Sequence, residues 1–291
     1  MTGTGDMRVA FYGVRGSTPC AGDEYVRYGG NSSCVVLEAL GQLPIVFDMG
    51  TGLRPYGDAL GGASQRFRGT VLLTHMHWDH IQGLPFFTPL HNPDSLVDIY
   101  GPRQSAGEIG EVFSGMMQPP YFPITYEQIA GEIRWHELTD DDFPIGDAKV
   151  RARSVRHVGA TLGYRVECHG VTVVYISDHG QGCGEPGCDD LVPTAVLELC
   201  EGADLLIHDA QHTVNEFEEK RSWGHCTNEY ALLVARTAGV KQLALFHHCP
   251  THGDDMLDAI VRATQERSLA CGGPEVFGAA EGLVVNLGGA Q

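Results

Sequence analysis

Apolar residues along this chain come in short runs, each closed by turn-forming or polar residues. The first half holds RVAFYGV, SCVVLEAL, PIVFDMG, GTVLLTH and VDIYGP, and the second holds KVRARSV, LGYRVEC, VTVVYISD, ADLLIHDA, QLALFHH and GLVVNL. Their length, β-branched content and flanking Gly or Pro predict strands. Helical spacing is found elsewhere. NEYALLVARTAG has apolar residues three and four apart and ends in Gly, and DDMLDAIVRATQERSLA repeats the spacing. Shorter helices are expected near 53–61 and 81–90. Strand-rich halves, each followed by helices, imply an α/β protein in which two sheets pack together with helices outside, an αββα sandwich. The segment 111–126, EVFSGMMQPPYFPITY, reads as an ordered loop that is either a lid over a site or a hydrophobic plug.

Charge and composition exclude some partners. The net charge of −18 argues against a surface that coats a nucleic-acid polymer, because such binding is driven by Lys and Arg. A small anion drawn to a local positive centre stays open. No apolar run is long enough to span a membrane, and the first residues lack the pattern of a secretion signal. Nine scattered cysteines fit a reducing cytoplasm. Cys183 and Cys188, in GCGEPGC, could form a disulfide or half a zinc site, or be two free thiols in a Gly-rich loop. Histidine is abundant, with fourteen against nineteen Lys plus Arg.

The histidines concentrate most sharply in THMHWDHIQG, residues 74–83. A strand ends at Thr74. On an extended backbone His75 and His77 point the same way and can converge on one ion. Asp79 and His80 follow where the chain turns toward a helix, within reach of a second ion. Imidazole and carboxylate suit zinc, manganese or iron.

THMHWDH resembles the signature of the metallo-β-lactamase fold superfamily, whose dinuclear hydrolases carry H-x-H-x-D-H after a strand. The resemblance runs over nearly the whole chain and implies a single domain spanning 1–291, with the four-layer sandwich of that fold. It also implies further ligands at downstream strand ends: His157 in VRHVGATLGYRV, Asp178 in VTVVYISD, and His247 in LALFHHCPTH, with His248 as the alternative. One site would then comprise His75, His77 and His157, and the other Asp79, His80 and His247, with Asp178 between them. The cofactor expected is a pair of divalent ions, zinc first, with manganese or iron also suited. Water between such ions loses its proton near neutral pH and becomes a nucleophile, while the cations stabilise charge on the attacked group.

Further residues follow from the same likeness. Asp48 in PIVFDMGTG would brace the histidine loop. Asp209 in IHDA and His225 in SWGHCTNEYA resemble a pair in the tRNA 3′-processing and phosphonate-pathway phosphodiesterases. That implies His225 as general acid or phosphate clamp, held by Asp209. Cys226 stands where serine is commoner. The motifs FYGVRGSTP, with Arg15, and YGGNSSC, with Asn31, resemble those of a superfamily sub-group, which implies that these loops line the pocket. His208, His212, His248 and His252 read as ordinary polar residues.

The reaction expected is hydrolysis of small phosphodiesters, cyclic nucleotides first. Only 21 positions separate His157 from Asp178, where tRNA-processing members insert an RNA-gripping arm. With the acidic charge, this predicts no nucleic-acid polymer and no membrane as partner; related phosphodiesterases pair, so a homodimer is also expected. A lactonase or another C–O or C–N hydrolase is the alternative chemistry, and a non-catalytic nucleotide- or metal-sensing module the alternative class.

Overall fold

The computed structural model describes residues 7–182 and 191–288, so Cys183 and Cys188 lie outside the described residues. The first sheet contains β1 (Met7–Gly13), β2 (Cys34–Ala39), β3 (Ile45–Phe47), β4 (Arg68–Leu72), β5 (Leu96–Pro102) and β6 (Glu132–Leu138). The second contains β7 (Asp142–Ile145), β8 (Ala148–Ser154), β9 (Leu162–Cys168), β10 (Val171–Ile176), β11 (Leu205–Asp209), β12 (Gln242–Phe246) and β13 (Glu275–Gly278). The last strand, β14 (Val284–Leu287), returns to the first sheet beside β1, giving the orders β14-β1-β2-β3-β4-β5-β6 and β13-β12-β11-β10-β9-β8-β7.

Each sheet is antiparallel on one side and parallel on the other. The strands β3 to β6 run parallel, as do β10 to β13. Parallel strands end on a common edge, and loops at that edge are where open α/β sheets gather ligands.

Between the sheets lies a core that includes Phe11, Phe47, Tyr164, Tyr175 and Phe246, with the Phe47 and Tyr175 rings stacked at 4.8 Å. The outer faces are covered by helices. On the first sheet these include α1 (Leu53–Ala59) and α3 (Ile109–Met116), which bury Leu53, Tyr56, Ile109 and Phe113. On the second they include α4 (Thr194–Cys200), α6 (Asn228–Thr237) and α7 (Asp254–Ala270). Two short helices, α2 (Trp78–Ile81) and α5 (Val214–Lys220), lie in loops at the strand ends. The αββα sandwich is thus present.

Three local expectations need correction. The helix near 81–90 is instead the four-residue α2 followed by two 3-10 turns, Leu84–Phe86 and Thr88–His91. Pro85 and Pro89 supply no N–H and disfavour helical geometry in the residue before each, so no continuous helix can run through. The segment 111–126 begins as helix, because α3 reaches Met116, and Phe113 and Met117 are buried in the core of that layer. Finally, β6, β7 and β13 went unforeseen. The strand β6, EIRWHEL, is an edge strand whose charges blur the apolar alternation, as edges commonly do.

Among the described residues no helix is long and apolar enough to cross a membrane.

Candidate metal centre

Beyond β4 the chain stays extended to His77, where φ and ψ are −67° and 151°, and α2 then begins at Trp78. Residues two apart on such a backbone share a direction, and His75 Nε2 lies 2.8 Å from His77 Nδ1. His157, in the loop from β8 to β9, places Nε2 3.2 Å from His77 Nδ1. Within α2, His80 Nε2 is 3.1 Å from Asp79 Oδ2. His247, next after β12, brings its Nε2 to 3.1 Å from the same oxygen.

Asp178, two residues past β10, sits between these groups. Its Oδ1 is 3.8 Å from His75 Nε2 and 3.5 Å from His157 Nε2, while Oδ2 is 3.2 Å from His80 Nε2 and 3.3 Å from His247 Nε2. Strand ends of both sheets thus deliver His75, His77, Asp79, His80, His157, Asp178 and His247 to one place. His248 turns away, its ring bonded to the Ala279 carbonyl at 2.8 Å.

The donor set fits metal ions. Among the described residues, His80 Nε2 and Asp178 Oδ2 are buried without a hydrogen-bond partner, although they face each other. Orphaned buried polar atoms are costly unless something satisfies them. His75, His77 and His157 form one cluster of closely facing donor atoms, and Asp79, His80 and His247 another. Ligands about 2.0–2.2 Å from a tetrahedral zinc sit roughly 3.4 Å apart, close to the spacings here. Burial opposes charge on His80, yet Asp79, Asp178 and Asp48 outweigh it and hold its pKa well above the usual value. Burial, with His80 next, pushes His75 the other way. Asp178 is opposed by burial too, but His247, His80 and His75 hold its carboxyl well below the ordinary range.

A buried scaffold orients these groups. Asp48 follows β3 in the left-handed region, φ 59°, which aspartate tolerates better than most residues. Its Oδ1 accepts from the Thr74 amide at 2.7 Å, and its Oδ2 lies 2.8 Å from both the Tyr175 hydroxyl and His80 Nδ1. His157 Nδ1 is likewise 2.7 Å from the Gly224 carbonyl oxygen. The Ser17 amide donates to Asp79 Oδ2 at 2.7 Å. Beside it, Gly16 packs so closely that a Cβ would lie 2.5 Å from His247 Nδ1.

Ser17, Gly16, Thr74 and Tyr175 were not foreseen from sequence. Tyr175 in β10 and Ser177 just past its end are two apart and both reach Asp48, and that signal could have been read; the Ser17 amide gives none. The loop of FYGVRGSTP reaches the pocket through Ser17, not through Arg15. Arg15 is wholly buried and donates to the carbonyls of Gly29 and His252 at 2.8 and 2.7 Å, tying its loop to the segment before α7. Asn31 pairs with Glu281 instead.

The second pair does meet. His225, before α6, places Nδ1 2.8 Å from Asp209 Oδ2 at the end of β11, and its ring lines the same pocket as His77, Asp79, Asp178 and His247. Burial opposes its protonation, but Asp209 and then Asp178 raise its pKa. His208 and His252 are engaged away from the pocket, with the Asp209 carbonyl and with Glu216.

The family model described as a beta-lactamase superfamily domain matches residues 62–248. Curated relatives include ribonuclease Z of Methanothermobacter thermautotrophicus, 27% identical over 83% of this chain and 86% of its own length. Ribonuclease Z of Haloferax volcanii is also 27% identical, over 83% and 84%. Among solved structures, the metallo-beta-lactamase fold protein YhfI of Bacillus subtilis superposes with a TM-score of 0.71 at 20% identity, covering 97% of this chain and all 100% of that one. Human tRNase Z, short form, gives 0.65 at 20% identity over 96% and 98%.

The ribonuclease Z relatives overturn the expectation that no nucleic-acid polymer is a partner, since their name is that of RNA-cleaving enzymes. Net charge misled because it sums the whole surface, whereas a substrate meets the local field of a pocket. The chain belongs to the beta-lactamase superfamily.

Proposed function

We propose that His75, His77 and His157 hold one divalent ion and Asp79, His80 and His247 a second, with Asp178 shared. Asp178 carries this reading, because one of its oxygens faces each group. Zinc is the ion proposed, manganese and iron having similar ligand preferences. Bound there, such ions supply activated water for attack and compensate the charge that develops on a phosphoryl group.

The protein's own groups do the rest. Asp48 and the Gly224 carbonyl fix the tautomers of His80 and His157, which leaves Nε2 of each free to coordinate. His225, protonated and held by Asp209, gives its proton to the departing oxygen. The substrates proposed are small phosphodiesters, cyclic nucleotides among them. Supporting this, the β9–β10 connection is only the pair His169 and Gly170, so no arm extends between His157 and Asp178.

The test is a panel of bis(p-nitrophenyl) phosphate, cyclic mononucleotides and a tRNA carrying a 3′ trailer, each offered to zinc- or manganese-loaded protein. Turnover of cyclic nucleotides is expected. Cleavage of the RNA alone would remove the small-substrate reading, and no turnover on any of them would remove phosphodiester hydrolysis altogether.

A further inference from the structure

Beside the metal pocket the surface holds a second hollow, of about 550 Å³, lined by Trp78, Gln82, Pro85, Phe86, Tyr121 and Phe122, with α3 behind it. Its aromatic residues are unusually open: Trp78 is 74% exposed, Phe86 53% and Tyr121 82%. Exposed aromatic surface gathered in one concavity is the mark of a binding site. Trp78 also lines the metal pocket, so the two spaces meet at this residue. The chain fixes this junction, since Trp78 lies between His77 and Asp79. Phe86 is held edge-on to Phe122 at 5.7 Å. The segment 111–126 therefore acts on two sides: Phe113 and Met117 fill the core, while Met116, Tyr121 and Phe122 wall the hollow.

We propose that this hollow is a subsite for the nucleobase on the non-leaving side of a nucleotidyl phosphodiester substrate. The inference rests on the phosphodiesterase reading above and adds a substrate class to it. A phosphate held among His77, Asp79 and His225 has a substituent beside Trp78, and the hollow is the apolar space next to it. Stacking on aromatic faces suits every base. Side-chain hydrogen-bonding groups in the lining are few, the Trp78 indole, the Gln82 amide and the Tyr121 hydroxyl, so the subsite prefers a nucleoside over an alkyl substituent and discriminates little among bases.

Gly115 offers a clean way to fill the space. It lies in α3, lines the hollow, and a Cβ there meets nothing within 4 Å. The experiment compares thymidine 5′-(p-nitrophenyl phosphate) with methyl p-nitrophenyl phosphate, which share a leaving group, in the unaltered protein, Gly115→Leu and Phe86→Ala. The unaltered protein is expected to favour the thymidine ester by about tenfold or more in kcat/KM. Both variants should bring that ratio most of the way to one. Calorimetric binding of thymidine monophosphate, set against methyl phosphate, reads the same preference without turnover. If neither ester is hydrolysed, the phosphodiesterase reading fails while this binding still judges the hollow. An unchanged preference in both variants overturns the proposal. So does a fall from dimer to monomer in Gly115→Leu with the preference intact, which would assign the face to a second copy of the chain.

Discussion

Asp48 Oδ2 lies 2.8 Å from His80 Nδ1, joining the end of β3 to the first turn after β4. Both side chains are wholly buried. The contact sets which nitrogen of His80 is presented to Asp79, Asp178 and His247.

Asp48→Asn should therefore weaken metal binding by about 10–100-fold, because an amide has one acceptor oxygen and cannot serve Thr74 on one side and Tyr175 with His80 on the other. Competition with a chromogenic chelator measures this. Affinity equal to that of the unaltered protein would show that Asp48 serves only the fold.

Asp79→Ala and His77→Ala remove one proposed ligand from each cluster. Each is expected to lose most bound metal together with activity, as read by elemental analysis beside a phosphodiester assay. A full complement of ions in either variant contradicts the ligand assignment.

His225→Ala should keep its metal and lose about 10²–10⁴-fold in kcat on a cyclic nucleotide, the usual worth of a proton donor. The loss should be much smaller for p-nitrophenyl esters, whose phenolate departs without a proton. Equal losses on both would recast His225 as a phosphate clamp.

Glu216 supports the structure away from the pocket. It caps α5 through Thr213 and lies 2.9 Å from His252 Nε2. Despite partial burial, His252 and Thr213 lower its pKa from 4.5 to about 2. A carboxyl depressed by folding stabilises the protein fully above its unfolded value, and that stability fades as pH falls toward the folded value. Glu216→Gln should cost about 1.5 kcal/mol at pH 7, or roughly 2–3 °C in Tm for a chain of 291 residues. The gap between variant and parent should narrow below about pH 4.5, followed by thermal melts across pH. A gap constant from pH 7 down to pH 3.5 would count against the charged pairing.

Much of this was legible along the chain, because the informative signals are local. Alternating apolar runs specify strands through backbone periodicity alone, and H-x-H-x-D-H after a strand specifies donors facing one way. The strand-end positions of Asp178, Asp209 and His247 follow from the same logic. What sequence left open needed distances between segments far apart in the chain. Choosing His247 over His248 depended on a left-handed residue, φ 56°, that turns one ring in and the other toward Ala279. Arg15 proved to be a buried strut because two of its carbonyl partners, Cys249 and His252, lie more than two hundred positions downstream. The 111–126 segment divided between core and surface only once α3 and the exposed Phe86 and Tyr121 rings were placed around one hollow. Residue type and spacing determine which chemistry a chain can assemble, whereas the packing of two sheets decides which side chains face one another, since that energy is summed over contacts no short window contains.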